Sequence, residues 1–375
     1  MRPPPSDHWV IVHRLRAQDV PEVASGAVGL RAIACVPGRR TGLAGFALTP
    51  DLDPVSACVS PRAWRITRLR FVASLLLLPL APQPRWHEAV PPGSGCLPPR
   101  CAAGQLPLAL PILVHGERLF MIGDGADPRR VHESRDGRTW ASYEHNARWG
   151  QTYGAAHASY RGALWRMGGF TDTASQRILQ NDVWRSVDGR RWERLLSRAP
   201  WPPRAHAHLV VFRDTLLLIG GEPNDRVVWY TVDGVTWGSR PAPGLPGLNP
   251  QGMLAFRGSL WILGHGTWDS ATNDVWSSAD GTTWTRVSAG ADWPARTHAG
   301  FAVLHDHLWV FGGAGRRDVW SSADGVRWLE TTEPLPGPPR AANHSVVFQD
   351  GLWVFGGKTG GAGGTGFWDG VWFLK

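Results

Sequence analysis

The segment Leu308-Trp-Val-Phe-Gly-Gly-Ala-Gly-Arg-Arg-Asp-Val-Trp-Ser-Ser-Ala-Asp-Gly-Val-Arg-Trp328 contains the pattern that decides the fold. A β-rich run ends in a glycine pair, a Val-Trp strand follows, and a Ser-x-Asp-Gly-x-x-Trp turn leads into the next strand. Both central positions of a type I′ turn need positive φ, which Gly and Asp tolerate, so the Asp-Gly pair predicts a tight hairpin of this type. The segment therefore predicts three consecutive antiparallel strands.

The same pattern recurs from about residue 108 to the C-terminus. Its turn closes in five tryptophans that lie 52, 45, 47 and 44 residues apart: Trp140, Trp192, Trp237, Trp284 and Trp328. Another strand precedes each glycine site and is joined to it by a short turn, as in Phe212-Arg-Asp-Thr215. The unit is thus a four-stranded antiparallel meander, with strands a to d, and its length suits one blade of a propeller.

Six glycine sites end the six b strands, at residues 123, 168, 220, 264, 312 and 356. The sixth unit stops at its third strand, residues 371–375, while residues 85–90 match residues 191–196 in form. We therefore predict an all-β fold, a six-bladed β-propeller of four-stranded antiparallel blades whose last blade is closed by an N-terminal strand. Closure of this kind removes the exposed sheet edges that invite aggregation.

The repeat resembles the Kelch family, whose blades carry a glycine pair after the second strand, a later Trp, and an Arg and His ahead of the next blade. The resemblance covers roughly residues 85–375 and implies a propeller like the central domain of galactose oxidase. The hairpin also resembles the Asp-box of sialidases, although it is one residue shorter between Asp and Trp. Because that box is structural in those families, it implies no activity here.

The region before the repeats has a different character. Residues 1–81 hold ten Arg and five acids, whereas residues 82–375 hold 29 basic and 26 acidic residues and no basic run typical of nucleic-acid binding. Four Arg in residues 62–70, followed by eleven mainly apolar residues at 71–81, are typical of a secretory signal and too short to span a bilayer. A buried core segment is the alternative interpretation of the apolar run.

These observations predict three parts: a misassigned or disordered leader at 1–58, a signal peptide at 59–82 and the propeller at 83–375. We expect a secreted or periplasmic protein, monomeric, with no membrane span in its mature chain and no nucleic acid as partner. Cys96 and Cys101 lie close enough in sequence to form a small loop disulfide, and the sequence leaves open whether they do.

The candidate binding surface is the face formed by the b–c loops and the d–a links. These segments vary in length, whereas the a–b and c–d turns on the other face are uniformly short. Variable loops on a rigid scaffold are where binding usually resides. The candidate ligand-binding residues on this face are Trp149, Tyr153, Trp201, Arg204, Glu222, His265, Trp268, Trp293, Arg296 and Arg340.

The repeated Trp and Arg residues of this set have two interpretations. Surface Trp beside Arg suits sugars or anionic groups, through stacking and bidentate hydrogen bonds. The structural alternative is that each Trp packs between blades and each Arg pairs with an acid of a neighbouring segment. Features that repeat from blade to blade favour the structural alternative.

The histidines near strand a do not predict a metal ring. Alignment of the repeats makes His206 equivalent to His298 and His208 equivalent to His344, while His157 falls on the opposite strand parity. These residues therefore cannot point to one centre, and we predict no metal site and no cofactor.

Three functions from different classes fit this architecture. A non-catalytic binding or scaffold propeller, with a protein or a cell-envelope glycan as ligand, is favoured because structural repetition dominates. The alternative is a carbohydrate-active propeller, because the chain is similar in size, export and blade count to the N-acetylneuraminate epimerases, which interconvert sialic acid anomers. That resemblance implies that Arg204, Arg296 and Arg340 grip a sugar carboxylate while Glu222 or His265 moves protons.

A copper radical oxidase like galactose oxidase is the third function, and the sequence argues against it. That chemistry needs a Tyr crosslinked to Cys, and no Cys follows Cys101. We therefore expect no such enzyme, and catalysis of any kind is not the favoured prediction.

Overall fold

Six antiparallel four-stranded sheets and one small three-stranded sheet make up the part of the chain that the structure, a computed structural model, describes. The described residues are 84–93, 111–123, 128–223, 225–246, 250–267, 269–341, 344–359 and 366–375. Among them are strands, turns and loops but no helix, and hence none that could cross a membrane. The predicted all-β class is confirmed.

The first three blades follow each other along the chain, each with its strands in the order a to d. Blade 1 consists of β2 (Ile112–His115), β3 (Arg118–Ile122), β4 (Arg130–Ser134) and β5 (Ala141–Glu144). Blade 2 consists of β6 (Ala156–Tyr160), β7 (Ala163–Asp172), β8 (Arg177–Ser186) and β9 (Trp192–Leu196). Blade 3 consists of β10 (His208–Phe212), β11 (Thr215–Ile219), β12 (Val227–Thr231) and β13 (Gly238–Pro241).

The last three blades continue the series, and blade 6 takes its outer strand from the N-terminal side. Blade 4 consists of β14 (Pro250–Phe256), β15 (Ser259–His265), β16 (Val275–Ser278) and β17 (Thr285–Ser288). Blade 5 consists of β18 (Gly300–Leu304), β19 (His307–Phe311), β20 (Val319–Ser322) and β21 (Leu329–Glu330). Blade 6 consists of β23 (His344–Phe348), β24 (Gly351–Phe355), β27 (Val371–Leu374) and β1 (Trp86–Val90). A small sheet of β22 (Arg340–Ala341), β25 (Lys358–Thr359) and β26 (Gly366–Phe367) lies beside it.

The ring is closed in two ways. Strand β1 pairs antiparallel with β27, with Trp86 opposite Leu374 and a register shift between Glu88 and Val90. The inner strands also contact one another in the cyclic order β2, β6, β10, β14, β18, β23 and back to β2. The predicted six-bladed propeller with an N-terminal closing strand is confirmed.

The hydrophobic core lies between neighbouring blades rather than inside any one of them. A tryptophan of strand b donates its indole N–H to a strand-a carbonyl of the same blade, as Trp165 does to Tyr160 at 3.0 Å. Its ring then lies against the turn glycine of the next blade, because a Cβ built on Gly234 would lie 2.1 Å from the Trp165 ring. Trp353 of blade 6 contacts Gly137 of blade 1 in the same way, so this packing also continues around the ring.

The turns differ from the prediction in one respect. In blades 2 to 6 the a–b turns have positive φ at two successive residues, for example Arg213 (48°) and Asp214 (54°), as type I′ hairpins require, whereas in blade 1 only Gly116 does. In the Asp-Gly turns between strands c and d only the glycine has positive φ, for example Gly189 at 72°. The predicted type I′ geometry is therefore wrong for these turns, because Asp188 instead accepts backbone N–H bonds of 2.8 Å from both Arg190 and Arg191.

Candidate functional site

Buried Arg–Asp pairs hold the b–c/d–a face together. Arg296 is 1% exposed and donates to the carbonyl of Gly312 at 2.9 Å and to both carboxylate oxygens of Asp318, at 2.7 and 2.6 Å. Arg204 makes the equivalent contacts with the carbonyl of Gly220 and with Asp225. Each pair ties the link before strand a to the b–c loop of its own blade.

The acids of these pairs are held in their ionised form. Burial would raise the pKa of Asp318, but hydrogen bonds from Arg296 and from the Trp320 indole outweigh that effect and lower the pKa. A bidentate guanidinium that is saturated by an internal carboxylate has few donors left for a ligand. The geometry of Arg204 and Arg296 is thus that of the structural alternative, and neither side chain reaches the surface.

The three repeated d–a tryptophans are also inside the protein. Trp149, Trp201 and Trp293 are 5%, 1% and 0% exposed. Trp201 lies 5.9 Å from Trp237, and Trp293 lies 6.0 Å from Trp328, in edge-to-face contacts. These rings pack within the blade interfaces, so a sugar arriving from solvent does not meet them.

Two histidines lie at the ends of d–a links, two residues before strand a begins. His206 and His298 are both exposed and both have positive φ, at 57° and 56°, which agrees with their predicted equivalence. The backbone N–H of His298 donates to the Gln251 side chain at 3.2 Å. Partial burial of its ring and the positive charge of Lys358 lower the pKa of His298, so a cationic side chain from the b–c loop of blade 6 lies close to it.

The residue that follows the glycine pair differs from blade to blade, unlike the buried Trp and Arg. It is Phe170 in blade 2, Glu222 in blade 3, Ala314 in blade 5 and Lys358 in blade 6. In blades 2, 3 and 6 it pairs with the residue just ahead of strand a: Tyr153 with Phe170, Ala205 with Glu222 and Ala341 with Lys358. This position therefore carries the chemical variation of the face.

Five side chains of blades 2 and 3 form a surface that we call the aromatic shelf: Tyr153, Phe170, Arg177, His206 and Glu222. The Tyr153 and Phe170 rings are stacked, with centroids 5.6 Å apart and an interplanar angle of 30°. Tyr153 is 36% exposed, whereas Phe170 beneath it is 7% exposed. The His206 ring lies 5.5 Å from Phe170. The shelf therefore presents one open aromatic ring on a buried aromatic base.

Charged groups border this shelf. The Arg177 guanidinium carbon lies 3.9 Å from the Phe170 ring centroid, and Arg177 pairs with Asp172 at 3.2 Å and with Glu222 at 3.8 Å. Gln151 donates to the Tyr153 hydroxyl at 3.0 Å. Arg177 and Glu222 have about half of their side chains exposed, 48% and 47%. Donors and acceptors are thus available around the open ring.

The segment of blade 2 that carries Arg177 is a paired β-hairpin and not an irregular loop. Strands β7 and β8 continue past the glycine pair as a long hairpin and keep their pairing to Asp172 and Arg177. The sequence analysis did not select Phe170 or Arg177 as site residues. The residue type after the glycine pair varies between blades, and this variation could have indicated Phe170. The positions of Phe170 and Arg177 on a paired hairpin make the shelf a fixed surface.

The remaining predicted site residues are placed as follows. His265 lies at the end of β15 and its Nε2 is 3.1 Å from the Asp274 carboxylate, which also accepts the Trp276 indole N–H at 2.7 Å. Arg340 is 0% exposed and borders blade 6. Trp268 lies outside the described residues. Within the described ranges, no cluster of three or more His, Cys, Asp or Glu side chains could hold a metal ion.

Two adjoining depressions lie on the opposite face, on either side of the a–b turn of blade 1. Their volumes are about 680 and 520 Å³, and both are lined by Gly116, Glu117 and Arg118. They are open to solvent and bordered by the short turns that all blades share. We therefore keep the b–c/d–a face, where the side chains differ between blades, as the candidate site.

Comparison with known proteins separates the N-terminal region from the propeller. Residues 6–70 match the family described as NusA-like first KH domain. Over 59 residues the chain is 41% identical to the transcription termination/antitermination protein NusA of Thermus thermophilus and 37% identical to that of Halalkalibacterium halodurans. Each match covers 16% of this chain, which spans only 15% of the length of either relative.

This match overlaps the predicted leader and the start of the predicted signal peptide. Residues 1–83 are outside the described part of the chain, so the leader and the signal remain predictions. The composition of residues 6–70 did not suggest this likeness to a KH domain.

The propeller is similar to the solved structure of YjhT. The TM-score is 0.58 at 14% sequence identity, and the alignment covers 72% of this chain and 96% of that one. At this identity the likeness concerns the fold alone. It supports the conclusion reached from the strand pairing, that the chain carries a six-bladed β-propeller.

Proposed function

We propose that this chain is a non-catalytic binding propeller that acts outside the cytoplasm and holds a cell-envelope glycan on the aromatic shelf. The observation that carries the proposal is the Tyr153 ring, 36% exposed and stacked on buried Phe170 beside Arg177, Glu222 and His206. A flat ring with hydrogen-bonding groups at its border suits the apolar face and the hydroxyl groups of a sugar.

The conformational cost of binding supports the same function. Phe170 and Arg177 belong to paired strands, and Tyr153 is fixed by its own bridge to Phe170. A surface that is already ordered loses little entropy when a ligand binds, which favours affinity. We also propose that the repeat is of the Kelch type, on the strength of the glycine pair, the later Trp and the Arg ahead of strand a.

The test is a binding screen of the full chain against a panel of immobilised cell-envelope glycans. Tyr153→Ala is expected to weaken the strongest signal by at least about tenfold, as an aromatic anchor worth about 1.4 kcal/mol or more would. Arg177→Gln is expected to weaken it as well. Arg190→Gln is the matched control, because Arg190, in the c–d turn of blade 2, also lies over an aromatic ring, 4.1 Å from that of Tyr143 in blade 1, but on the face opposite the shelf.

A glycan signal that survives Tyr153→Ala unchanged would remove the shelf from the proposal. A panel without any signal would remove the glycan and leave a scaffold protein. Circular dichroism of each variant separates loss of binding from loss of folding.

Export is the second part of the proposal, and residues 62–81 support it by their charged start and apolar run. The test is sequencing of the N-terminus of the protein from its native cells. A mature chain that begins near residue 83 in the extracytoplasmic fraction is expected. Recovery of a cytoplasmic protein that still contains residues 6–70 would contradict export and would give the KH-like region a place in the functional protein.

The carbohydrate-active alternative has no specific observation in its favour. It requires Arg204, Arg296 and Arg340 to grip a sugar carboxylate together, but Arg204 and Arg296 are buried and already paired with Asp225 and Asp318. Sialic acid mutarotation followed by NMR discriminates the two functions. Acceleration by the purified chain would establish catalysis and displace the binding-only proposal.

A further inference from the structure

An aspartate just ahead of strand c has the same role in several blades. In blades 2, 4 and 5 it directly precedes the valine of the Val-Trp pair and accepts the indole N–H of that Trp. The bonds run from Trp184 to Asp182 at 2.5 Å, from Trp276 to Asp274 at 2.7 Å and from Trp320 to Asp318 at 2.7 Å. Blade 3 uses Asp225 for Trp229 at 3.4 Å. In blades 3 and 5 the same acid also neutralises the buried arginine.

Blade 6 has a glycine in place of this aspartate. Val371 pairs with Phe355 as Val319 pairs with Phe311, so Gly370 stands at the position of Asp318. Among the described residues, no atom accepts the buried indole N–H of Trp372, and none accepts from Nη2 of Arg340. In blade 5 the two corresponding donors, the Trp320 indole N–H and Arg296 Nη2, both bond to Asp318.

Arg340 keeps only its contacts with neutral groups. Its Nε donates to the carbonyl of Gly356 at 2.9 Å, and its Nη1 donates to the carbonyls of Pro336 and Pro338, at 2.5 and 3.2 Å. No ion pair between Arg340 and any acid exists within the described part of the chain. A guanidinium that is 0% exposed and lacks a counter-charge is costly to bury.

The indole of Trp368 occupies the space that the aspartate side chain would need. The Arg340 guanidinium carbon lies 4.1 Å from the centroid of the Trp368 ring. A Cβ built on Gly370 would lie 2.5 Å from that ring. A cation–π contact compensates part of the charge, but an indole face cannot accept the directed hydrogen bonds that a carboxylate accepts.

A second arginine acts on Arg340, and the backbones of two more basic residues lie nearby. Burial and then the charge of Arg317 lower the pKa of Arg340 to about 9, which places Arg317 close by. Arg316 forms a backbone bridge with Arg340, and Lys358 pairs with Ala341, its neighbour in the chain. The carboxylate of Asp318 is committed to Arg296, and that of Asp369 accepts the backbone N–H of Gly93 at 3.1 Å. The local balance therefore favours an anion.

We propose that Arg340 and Arg317 form a binding site for the carboxylate group of a small acidic ligand, which takes the position of the aspartate that blade 6 lacks. The indole of Trp368 moves off the guanidinium when the ligand binds. Arg340 Nη2 and the Trp372 indole N–H then donate to the carboxylate oxygens, as Arg296 and Trp320 donate to Asp318. This site borders blades 5 and 6 and is separate from the aromatic shelf, so either can fail without the other.

Calorimetric titration of the full chain with sodium acetate and with sodium glucuronate, against sodium chloride at equal ionic strength, tests the site. Wild type is expected to bind both acids, and Arg317→Gln to bind them more weakly by threefold or more. Equal affinity for the two acids assigns recognition to the carboxylate alone, and tighter binding of glucuronate adds a contact with the sugar ring; both outcomes support the site. Arg190→Gln removes a positive charge elsewhere and is expected to leave both affinities unchanged.

Two further variants differ only in whether an aspartate stands at residue 370, where blade 6 lacks it. Trp368→Ala uncovers Arg340 and is expected to bind acetate several-fold more tightly than wild type. Trp368→Ala combined with Gly370→Asp supplies the internal acid and is expected to lose acetate binding. Equal acetate affinity of these two folded variants, or no acetate binding by either wild type or Trp368→Ala, overturns the proposal. Should the double variant not fold, an unchanged affinity in Arg317→Gln overturns it instead.

Discussion

Arg296 and Asp318 are joined by two parallel hydrogen bonds of 2.7 and 2.6 Å, and the guanidinium is shielded from solvent on all sides. The link before strand a of blade 5 is thereby fastened to the b–c loop of that blade. A second contact continues to the next blade, because Gly313 donates its N–H to the carbonyl of Arg340 at 3.1 Å. The binding face is thus held by polar contacts as well as by the apolar interfaces beneath it.

Loss of this pair is expected to destabilise the propeller. Arg296→Gln leaves the Asp318 carboxylate without its partner and should lower the free energy of unfolding by about 3–5 kcal/mol, the range for one broken partner of a buried pair. Arg257→Gln is the control, because the pair of Arg257 with Asp306 is exposed, at 49% and 65%, so solvent screens it and its loss should cost clearly less. Urea unfolding measures both. Equal losses for the two variants would contradict the structural role of Arg296.

The glycine pair is expected to be required for close backbone contact and not for flexibility alone. Gly313 has φ of +80°, and a Cβ there would lie 2.7 Å from Cα and N of Ala299. Gly315, two residues later, has φ of +73° but no atom within 4 Å of a built Cβ. Gly315→Ala should therefore cost only the left-handed strain, about 1–2 kcal/mol, and Gly313→Ala clearly more. Thermal unfolding of the two variants checks this, and similar melting temperatures would refute it.

Closure of the ring by β1 is expected to determine solubility as well as stability. A chain without residues 1–82 keeps the pairing of Trp86 with Leu374, whereas a chain without residues 1–91 exposes the edge of β27. An open edge offers unpaired N–H and C=O groups to other molecules. The shorter chain should melt at a lower temperature and aggregate, as light scattering measures. If both truncations behave alike, β1 does not close the propeller in solution.

The propeller could be predicted from the sequence because its signals are local and repeated. Glycine pairs and Asp-Gly turns mark each blade, and six copies reinforce one another. The c–d turn geometry could not be derived in this way, since Asp188 satisfies the backbone with its side chain and does not need positive φ. Turn chemistry of this kind depends on side-chain contacts that the pattern does not encode.

The site was harder to predict than the fold. The sequence places Arg296 beside Trp293 but does not say that Asp318, 22 residues later, comes within reach of the guanidinium. Repetition favoured a structural role, and the burial of these side chains agrees with that interpretation. The shelf depends on Phe170 and Arg177, which come together only because the blade 2 hairpin continues past its glycine pair.

Lowering the pH is expected to destabilise the propeller already at pH values above those at which its carboxylates are protonated. Burial lowers the pKa of His132 to about 4 and that of His344 to about 4, from an ordinary value of 6.5. Between pH 6.5 and 4 the unfolded chain therefore binds protons that the folded chain does not, so stability is fully present above pH 6.5 and is lost as the pH falls toward 4. His132 is 3% exposed, and its shift corresponds to roughly 3 kcal/mol. His132→Asn should flatten the dependence of the unfolding free energy on pH in this window, as urea unfolding at a series of pH values measures. An unchanged slope would mean that His132 is protonated in the folded protein.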